Sequence, residues 1–228
     1  MTKLLVDLRA EETWQGADGF VAEAALISPE AARGAELALL HGSPGGNPEW
    51  AGFSAAMWVV DQGLDAAAKL REYFPDARFL PHVQVYKPSA CYSLADPYLG
   101  EGFRVYAPDT AAFRTWRVDD GDEALGDWLV KAVRLGFDAV WLESPEAAEA
   151  KRGYDLDLLE RARKYFSGRI ILSGGACELR HLACLREEGG CFAAVLPAAV
   201  AAACGHAEAI AQKQPPAGRP LDQDEAVA

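Results

Sequence analysis

The segment Arg169-Ile-Ile-Leu-Ser-Gly-Gly-Ala176 decides the fold, because a short apolar run ends abruptly in a serine and two glycines. An apolar run of this length that is bounded by glycine predicts a buried strand. A glycine pair that opens a helix lets backbone N–H groups approach an anion closely. The segment therefore predicts a strand, a tight turn and a helix, with a phosphate site at Ser173, Gly174 and Gly175.

The same pattern continues on both sides of this segment. An apolar run at Phe137–Leu142 and a helical pattern at Tyr154–Phe166 precede it, and another apolar run, Cys191–Pro197, follows it. Strands that alternate with helices in this way indicate a parallel sheet. We predict eight strands in the whole chain: Lys3–Leu8, Glu36–Leu40, Ala55–Val60, Phe79–Tyr86, Phe103–Ala107, Ala139–Glu143, Arg169–Leu172 and Phe192–Leu196.

Eight strands alternating with helices predict one α/β domain, a slightly abbreviated (βα)8 barrel, with its chemistry at the carboxyl ends of the strands. Helical spacing of apolar residues predicts the helices Leu64–Phe74, Asp122–Leu135, Asp155–Tyr165, Glu178–Glu188 and Ala201–Ala211. Between Gly42 and Gly52, Ser-Pro-Gly-Gly-Asn-Pro replaces a full crossover helix, so either a short helix lies there or the third strand belongs to a helix. We expect residues 1–211 to form the barrel and residues 212–228, which are polar and aperiodic, to form a loose tail.

Composition narrows the class of partner. The formal net charge is −12, which disfavours binding to nucleic acid or to an anionic membrane. The N-terminal residues lack the pattern of a signal peptide, and no apolar stretch reaches the ~20 residues of a membrane span. Five cysteines without a Cys-x-x-Cys pair indicate neither a disulfide framework nor a zinc site. We expect a cytoplasmic protein with reduced cysteines and no cofactor, and the sequence leaves a homo-oligomer open.

From Asp122 onward the sequence resembles the histidine-biosynthesis barrels, the HisA-type isomerases and HisF-type cyclases. The stretches that carry the resemblance are Gly126–Gly136, Ala139-Val-Trp-Leu-Glu-Ser144, Lys151-Arg-Gly-Tyr-Asp155 and Ile170–Ala176, in the family's order and spacing. The resemblance implies a TIM barrel of the ribulose-phosphate-binding type and, as ligand, a small phosphorylated metabolite.

The first half of the chain resembles the family more faintly. Leu5-Val-Asp7 is similar to the family's first strand, and Val105-Tyr-Ala-Pro-Asp109 can be laid on its fifth; each ends in a catalytic aspartate there. The resemblance thus implies that Asp7 and Asp109 act as general acid and base.

Three departures from the family pattern suggest a divergent paralogue rather than a histidine-pathway enzyme. Pro145–Glu149 replaces an acidic, glycine-containing loop, and no counterpart is evident for the glycine-rich turn after the family's third strand. After the predicted eighth strand the usual small polar residues are missing, although the N–H groups of Ala198 and Ala199 remain as donors for phosphate.

Two other chemistries stay open. Lys87 ends the predicted fourth strand, where a lysine can form a Schiff base with a carbonyl substrate, and Glu143 can supply the acid for that reaction or for an isomerisation. His41, Asp61 and His82 lie at or near strand ends and in principle could gather a metal, but no short spacing supports this, and we predict none.

We therefore expect an acid–base enzyme, an isomerase or a cyclising lyase, that acts on a phosphorylated metabolite. The alternatives are a Schiff-base aldolase or synthase that uses Lys87, and a non-catalytic barrel that serves as a binding or assembly subunit.

Overall fold

The computed structural model describes residues 2–8, 17–50, 52–87, 91–93, 104–106, 116–119, 123–188 and 190–204. Within them lie eleven strands: β1 (Lys3–Asp7), β2 (Gly19–Glu23), β3 (Leu37–His41), β4 (Ala56–Val60), β5 (Phe79–Tyr86), β6 (Cys91–Ser93), β7 (Arg104–Tyr106), β8 (Arg117–Val118), β9 (Ala139–Glu143), β10 (Arg169–Ser173) and β11 (Ala193–Pro197). Eight of these pair in parallel in the order β1-β2-β3-β4-β5-β9-β10-β11, and β11 pairs with β1 again, which closes a barrel. The predicted fold class is confirmed.

Helices connect the strands on the outside of this barrel. They are α1 (Leu64–Tyr73), α2 (Leu125–Arg134), α3 (Pro145–Ala150), α4 (Leu156–Arg163), α5 (Leu179–Glu187) and α6 (Ala198–Cys204). Two short 3-10 helices, Pro44–Gly46 and Pro48–Trp50, occupy the connection between β3 and β4, which confirms the short-helix alternative for that segment. Helix α3 was not predicted from the sequence. The predicted tail, residues 212–228, lies outside the described residues, and in the described part no helix is long and apolar enough to cross a membrane.

The predicted strand order in the first half is wrong in two places. We predicted no strand at Gly19–Glu23, which forms β2, so the predicted second, third and fourth strands are the third, fourth and fifth of the barrel. The predicted fifth strand, Phe103–Ala107, is not a barrel strand, because Arg104–Tyr106 pairs antiparallel with Cys91–Ser93 in a separate sheet.

The physical reason for the missed strand lies in Gly19. A Cβ at this position would lie 1.8 Å from the carbonyl oxygen of Leu37 on the neighbouring strand, so the close strand contact requires glycine. In the sequence, however, Gly16-Ala-Asp-Gly19 has the composition of a turn. The packing of the strands thus requires glycine at position 19, whereas the local sequence indicates a turn there.

Side-chain alternation in the strands determines which residues reach the mouth of the barrel, which is the end where the carboxyl ends of its strands meet. Apolar side chains fill the barrel interior, among them Leu5, Leu39, Met57, Trp141 and Ile171. Because residues two apart in a strand point to the same side, the next inward positions lie at the carboxyl ends of the strands. In several strands these positions are polar: Asp7, His41, Glu143 and Ser173, with Asp61 directly after β4. His82 points to the same side from the middle of β5, where it pairs with Trp141.

Candidate functional site

A cavity of about 390 Å³ opens at the carboxyl ends of β1, β9, β10 and β11. Five of the predicted site residues line it: Asp7, Glu143, Ser173, Gly174 and Gly175. Trp141, Lys151 and Cys177 contribute to its wall. The structure thus brings a carboxylate from the first strand and another from the sixth strand of the barrel together with the diglycine turn after the seventh.

The turn at Gly174 and Gly175 adopts a conformation that only glycine accepts readily. Their φ angles are +96° and +86°. A Cβ on Gly174 would lie 2.4 Å from the carbonyl oxygen of Ser144, and a Cβ on Gly175 would lie 2.1 Å from that of Gly153. Both the backbone geometry and the close packing therefore explain the pair of glycines.

The same turn presents free donors. Within the described part of the chain, no acceptor is in hydrogen-bonding geometry with the backbone N–H of Gly174, Gly175 or Ala176. Gly175 and Ala176 are buried, and a buried N–H without an acceptor costs free energy. The next N–H, that of Cys177, donates to His181 Nδ1 at 3.2 Å. Because Gly174, Gly175 and Ala176 line the cavity, an anion bound there could accept from the donors of this turn.

Trp141 forms the floor between the two sides of the mouth. Its Nε1–H donates to Ser173 Oγ at 2.8 Å, which fixes the serine hydroxyl. The centroid of its ring lies 4.3 Å from that of His82. The indole therefore connects the diglycine turn to a group of charged side chains on β3, β4, β5 and β9.

This group, which we name the mouth chain, consists of His41, Asp61, His82 and Glu143. His82 Nδ1 lies 2.6 Å from Asp61 Oδ1, and His82 Nε2 lies 3.3 Å from Glu143 Oε2. The second contact is ionic, because its geometry is not that of a hydrogen bond. On the far side, His41 Nδ1 lies 3.7 Å from Asp61 Oδ2.

The contacts of the mouth chain shift the pKa values of its members. Burial opposes the charge on His82, but its contacts with Asp61 and Glu143 outweigh burial and raise its pKa to about 9. His41 and His82 hold the pKa of Asp61 well below its usual range, and His82 lowers the pKa of Glu143. At neutral pH an imidazolium therefore lies between two carboxylates. Among the described residues, no group of three His, Cys, Asp or Glu side chains is arranged to hold a metal.

The structure does not bring Lys87 to this cavity. Lys87 follows the fifth barrel strand rather than the fourth, and it lines a different cavity, of about 420 Å³, together with Asp155. Its Nζ lies 3.0 Å from the buried Asp155 carboxylate and 5.5 Å from the centroid of the Trp116 ring. The proposed role of Lys87 as a Schiff-base residue stays a prediction.

Three further predicted site residues, Asp109, Ala198 and Ala199, are not among the described residues that line the cavity. Asp109 lies outside the described residues, and its assignment to the end of the fifth barrel strand is wrong, because that strand is Phe79–Tyr86. Ala198 and Ala199 begin α6 directly after β11, but Pro197 and Val200, not these alanines, line the cavity.

One departure from the family pattern is also corrected. With the strands reassigned, Gly42-Ser-Pro-Gly-Gly46 follows the third barrel strand, so a glycine-rich segment does lie there.

The mouth chain as a unit was not predictable from the strand order that we expected. The strand-end positions of His41 and Asp61 were recognised, but only as a candidate metal site. The signal that could have joined them to Glu143 is that all four side chains point into the barrel. This can be recognised only once the strands are placed in the correct order.

No family model matches the chain. It is similar to several proteins described as imidazole glycerol phosphate synthase subunit HisF. The sequence is 42% identical to the one from Streptomyces coelicolor over 74 residues, which are 32% of this chain and 29% of that protein. It is 39% identical to the one from Exiguobacterium sibiricum over 28% of this chain and 27% of that protein, and 34% identical to the one from Clostridium botulinum (strain Okra) over 35% and 31%. The matches thus span about three tenths of the relatives' length.

Proposed function

We propose that this chain, whose closed barrel and partial HisF matches support membership of the HisA/HisF-like TIM-barrel family, is an enzyme that moves a proton on a phosphorylated metabolite. One observation carries the proposal: Asp7, Glu143 and the diglycine turn line the same cavity at the carboxyl end of the barrel. In barrels of this kind that end is where catalytic groups and phosphate sites lie.

The diglycine turn supplies the phosphate end of the site. Backbone N–H groups at a strand-to-helix turn bind anions by hydrogen bonding and by their local positive potential. The free N–H groups of Gly174, Gly175 and Ala176 offer such a cluster, and the hydroxyl of Ser173 lies beside them. These short-range donors act directly on a bound phosphate, whereas the net charge of −12 is distributed over the whole chain.

The carboxylates supply the chemical end. A carboxylate that faces a bound sugar phosphate can remove a proton from a carbon next to a carbonyl group, while a second acid protonates the oxygen. We propose Asp7 as one of these two groups. The reaction type that fits is an isomerisation or a cyclisation with elimination. The two remaining departures from the HisF pattern, at Pro145–Glu149 and after the last barrel strand, favour a substrate outside histidine synthesis.

Proton exchange tests this proposal even though the product is unidentified. The wild-type protein is incubated in D2O with ribulose 5-phosphate and with dihydroxyacetone phosphate, and NMR follows loss of the proton signal next to the carbonyl group. We expect Asp7→Asn to slow the exchange by about 100-fold or more, because one proton-transfer group contributes that much. Its affinity for inorganic phosphate should stay within about twofold of wild type.

Glu23→Gln is the matched control. Glu23 also ends a barrel strand with a carboxylate, but it is exposed and does not line the cavity. This variant should exchange at the wild-type rate. Equal rates for Asp7→Asn and wild type would contradict the proposed role of Asp7.

The Schiff-base alternative has a separate test. Borohydride reduction in the presence of a carbonyl substrate adds mass at a lysine only when an imine forms. Because the Lys87 amine is engaged with Asp155 outside the cavity, we expect no adduct at Lys87.

A further inference from the structure

The mouth chain has one end in the candidate site. Its members come from four neighbouring barrel strands. His41, His82 and Glu143 lie in β3, β5 and β9, and Asp61 directly follows β4. Of the four, Glu143 lines the cavity that also contains Asp7. His41, Asp61 and His82 extend from Glu143 around the mouth, away from the diglycine turn.

We propose that Glu143 is the proton-transfer partner of Asp7, and that His82 is the positioning residue that keeps Glu143 ionised and aimed at the cavity. This inference rests on the proposed function, and it names a second reacting group and its support. Asp61 has the role of holding His82 in place.

The two carboxylate oxygens of Glu143 differ in their contacts. Both of its described contacts, with His82 Nε2 at 3.3 Å and with Gln84 Nε2 at 3.4 Å, involve Oε2. Oε1 therefore remains to accept a proton from a ligand in the cavity. Two contacts to one oxygen fix the orientation of a side chain that would otherwise rotate.

The proton transfer is balanced between two groups. Glu143 takes the proton from the carbon next to the carbonyl group, and the electrons of that C–H bond form the carbon–carbon double bond of an enediol. Asp7 enters the step as the protonated acid, and the carbonyl oxygen takes that proton in the same step. Glu143 then returns its proton to the former carbonyl carbon. The hydroxyl on the other carbon gives its proton to Asp7 and becomes the new carbonyl group, which yields the isomer and restores both groups.

His82 can act only through Glu143. Asp61 and Glu143 occupy its two ring nitrogens, and the Trp141 ring packs against its own ring. The side chain is only 14% exposed. The charged groups that face it are Asp61 from β4 and Glu143 from β9, with His41 from β3 beyond Asp61. In this surrounding a positive His82 favours the ionised form of Glu143, which agrees with the lowered pKa of that carboxyl.

The experiment has two arms, each with its own readout. In the first, the D2O exchange assay compares wild type with Glu143→Gln and His82→Gln. We expect Glu143→Gln to lose about 100-fold or more of the exchange rate and to retain phosphate affinity. We expect His82→Gln to move the acid limb of the pH profile to higher pH, because loss of the imidazolium raises the pKa of Glu143. Glu23→Gln again serves as the control with unchanged exchange.

The second arm needs no substrate. The 13C chemical shift of the Glu143 carboxyl carbon is titrated in wild type and in His82→Gln. We expect a higher midpoint in the variant, whereas a purely structural role of His82 would leave the midpoint unchanged.

The outcomes separate the two proposals. Exchange by Glu143→Gln at the wild-type rate would overturn the role of Glu143 and leave the proposed function intact. No exchange by wild type with any probe would overturn both the proposed function and the role of Glu143. An unchanged Glu143 midpoint in His82→Gln would overturn the positioning role of His82, whatever the exchange assay shows.

Discussion

The two ends of the barrel differ in the size of their cavities and in the arrangement of the polar groups that line them. At the amino-terminal end a cavity of about 810 Å³, twice that of the mouth, is lined by Arg163, Arg169 and Arg186. These arginines connect segments of the chain: Arg186 Nη2 donates to the Thr2 carbonyl at 3.0 Å, Arg163 donates to the Gly190 carbonyl, and Arg169 pairs with Asp138. At the mouth, in contrast, carboxylates and free N–H groups converge on one space.

Because of this difference, we place the candidate site by the arrangement of polar groups rather than by cavity volume. Side chains that donate to backbone carbonyls at the amino-terminal end stabilise the fold, as is usual for that end of a TIM barrel. Charged groups that face a cavity, even when they are paired with one another, can bind a ligand or exchange protons with it. Substitutions at the two ends should therefore have different effects.

The largest expected effect on stability is at the mouth, in the diglycine turn. Gly175→Ala should lower the free energy of unfolding by about 3 kcal/mol, because the new Cβ combines a positive φ with a clash against the Gly153 carbonyl. Gly63→Ala is the control: its φ is +87°, but no atom would lie within 4 Å of the added Cβ, so only the backbone cost of about 2 kcal/mol applies. Urea denaturation of both variants measures the difference, and equal losses would argue against the tight packing of the turn.

The second effect is the pH dependence that the mouth chain gives to stability. The pKa of His82 is raised from 6.5 to about 9 in the folded protein, so its protonation stabilises the fold fully below pH 6.5, and this stabilisation is lost as the pH rises through about 9. At about 1.4 kcal/mol for each unit of pKa, the contribution is about 3 kcal/mol. Urea denaturation between pH 6 and pH 10 should show a smaller loss of stability in His82→Gln than in wild type. Parallel curves for the two proteins would contradict the charged state of His82.

The smallest effect is expected at the amino-terminal end. Asp138→Asn removes the charge that pairs with Arg169, but Asp138 is largely exposed, so the change in stability should stay below about 1 kcal/mol. The exchange rate with phosphorylated ketoses should equal that of wild type. If Asp138→Asn lost as much of the exchange rate as Asp7→Asn, the assignment of the chemistry to the mouth alone would be contradicted.

The sequence predicted the second half of the barrel well, because local signals and packing agree there. Apolar runs form β9, β10 and β11, and Ser173-Gly174-Gly175 forms the turn that its composition predicts. In the first half they disagree: Gly19 begins a barrel strand although its neighbours have the composition of a turn, and the segment around Val105 forms a strand outside the barrel.

The candidate site was predictable where topology alone brings residues together. Asp7, Glu143 and the diglycine turn share a cavity because the carboxyl ends of parallel strands meet at one mouth. The contacts of His82 with Asp61 and Glu143 were not predictable, since they depend on the register between strands that are neighbours only in the closed barrel. Lys87 shows the same limit, because its partner Asp155 is distant in sequence.

The most direct test of the account is to titrate the 15N-labelled protein with inorganic phosphate and to follow its amide and arginine Nε–H signals. We predict saturable shifts of the backbone amides of Gly174, Gly175 and Ala176, and no comparable shift of Gly190 or of Arg186 Nε–H. Saturable shifts confined to Gly190 and Arg186, with the diglycine turn unmoved, would place the anion site at the wrong end of the barrel and contradict the account.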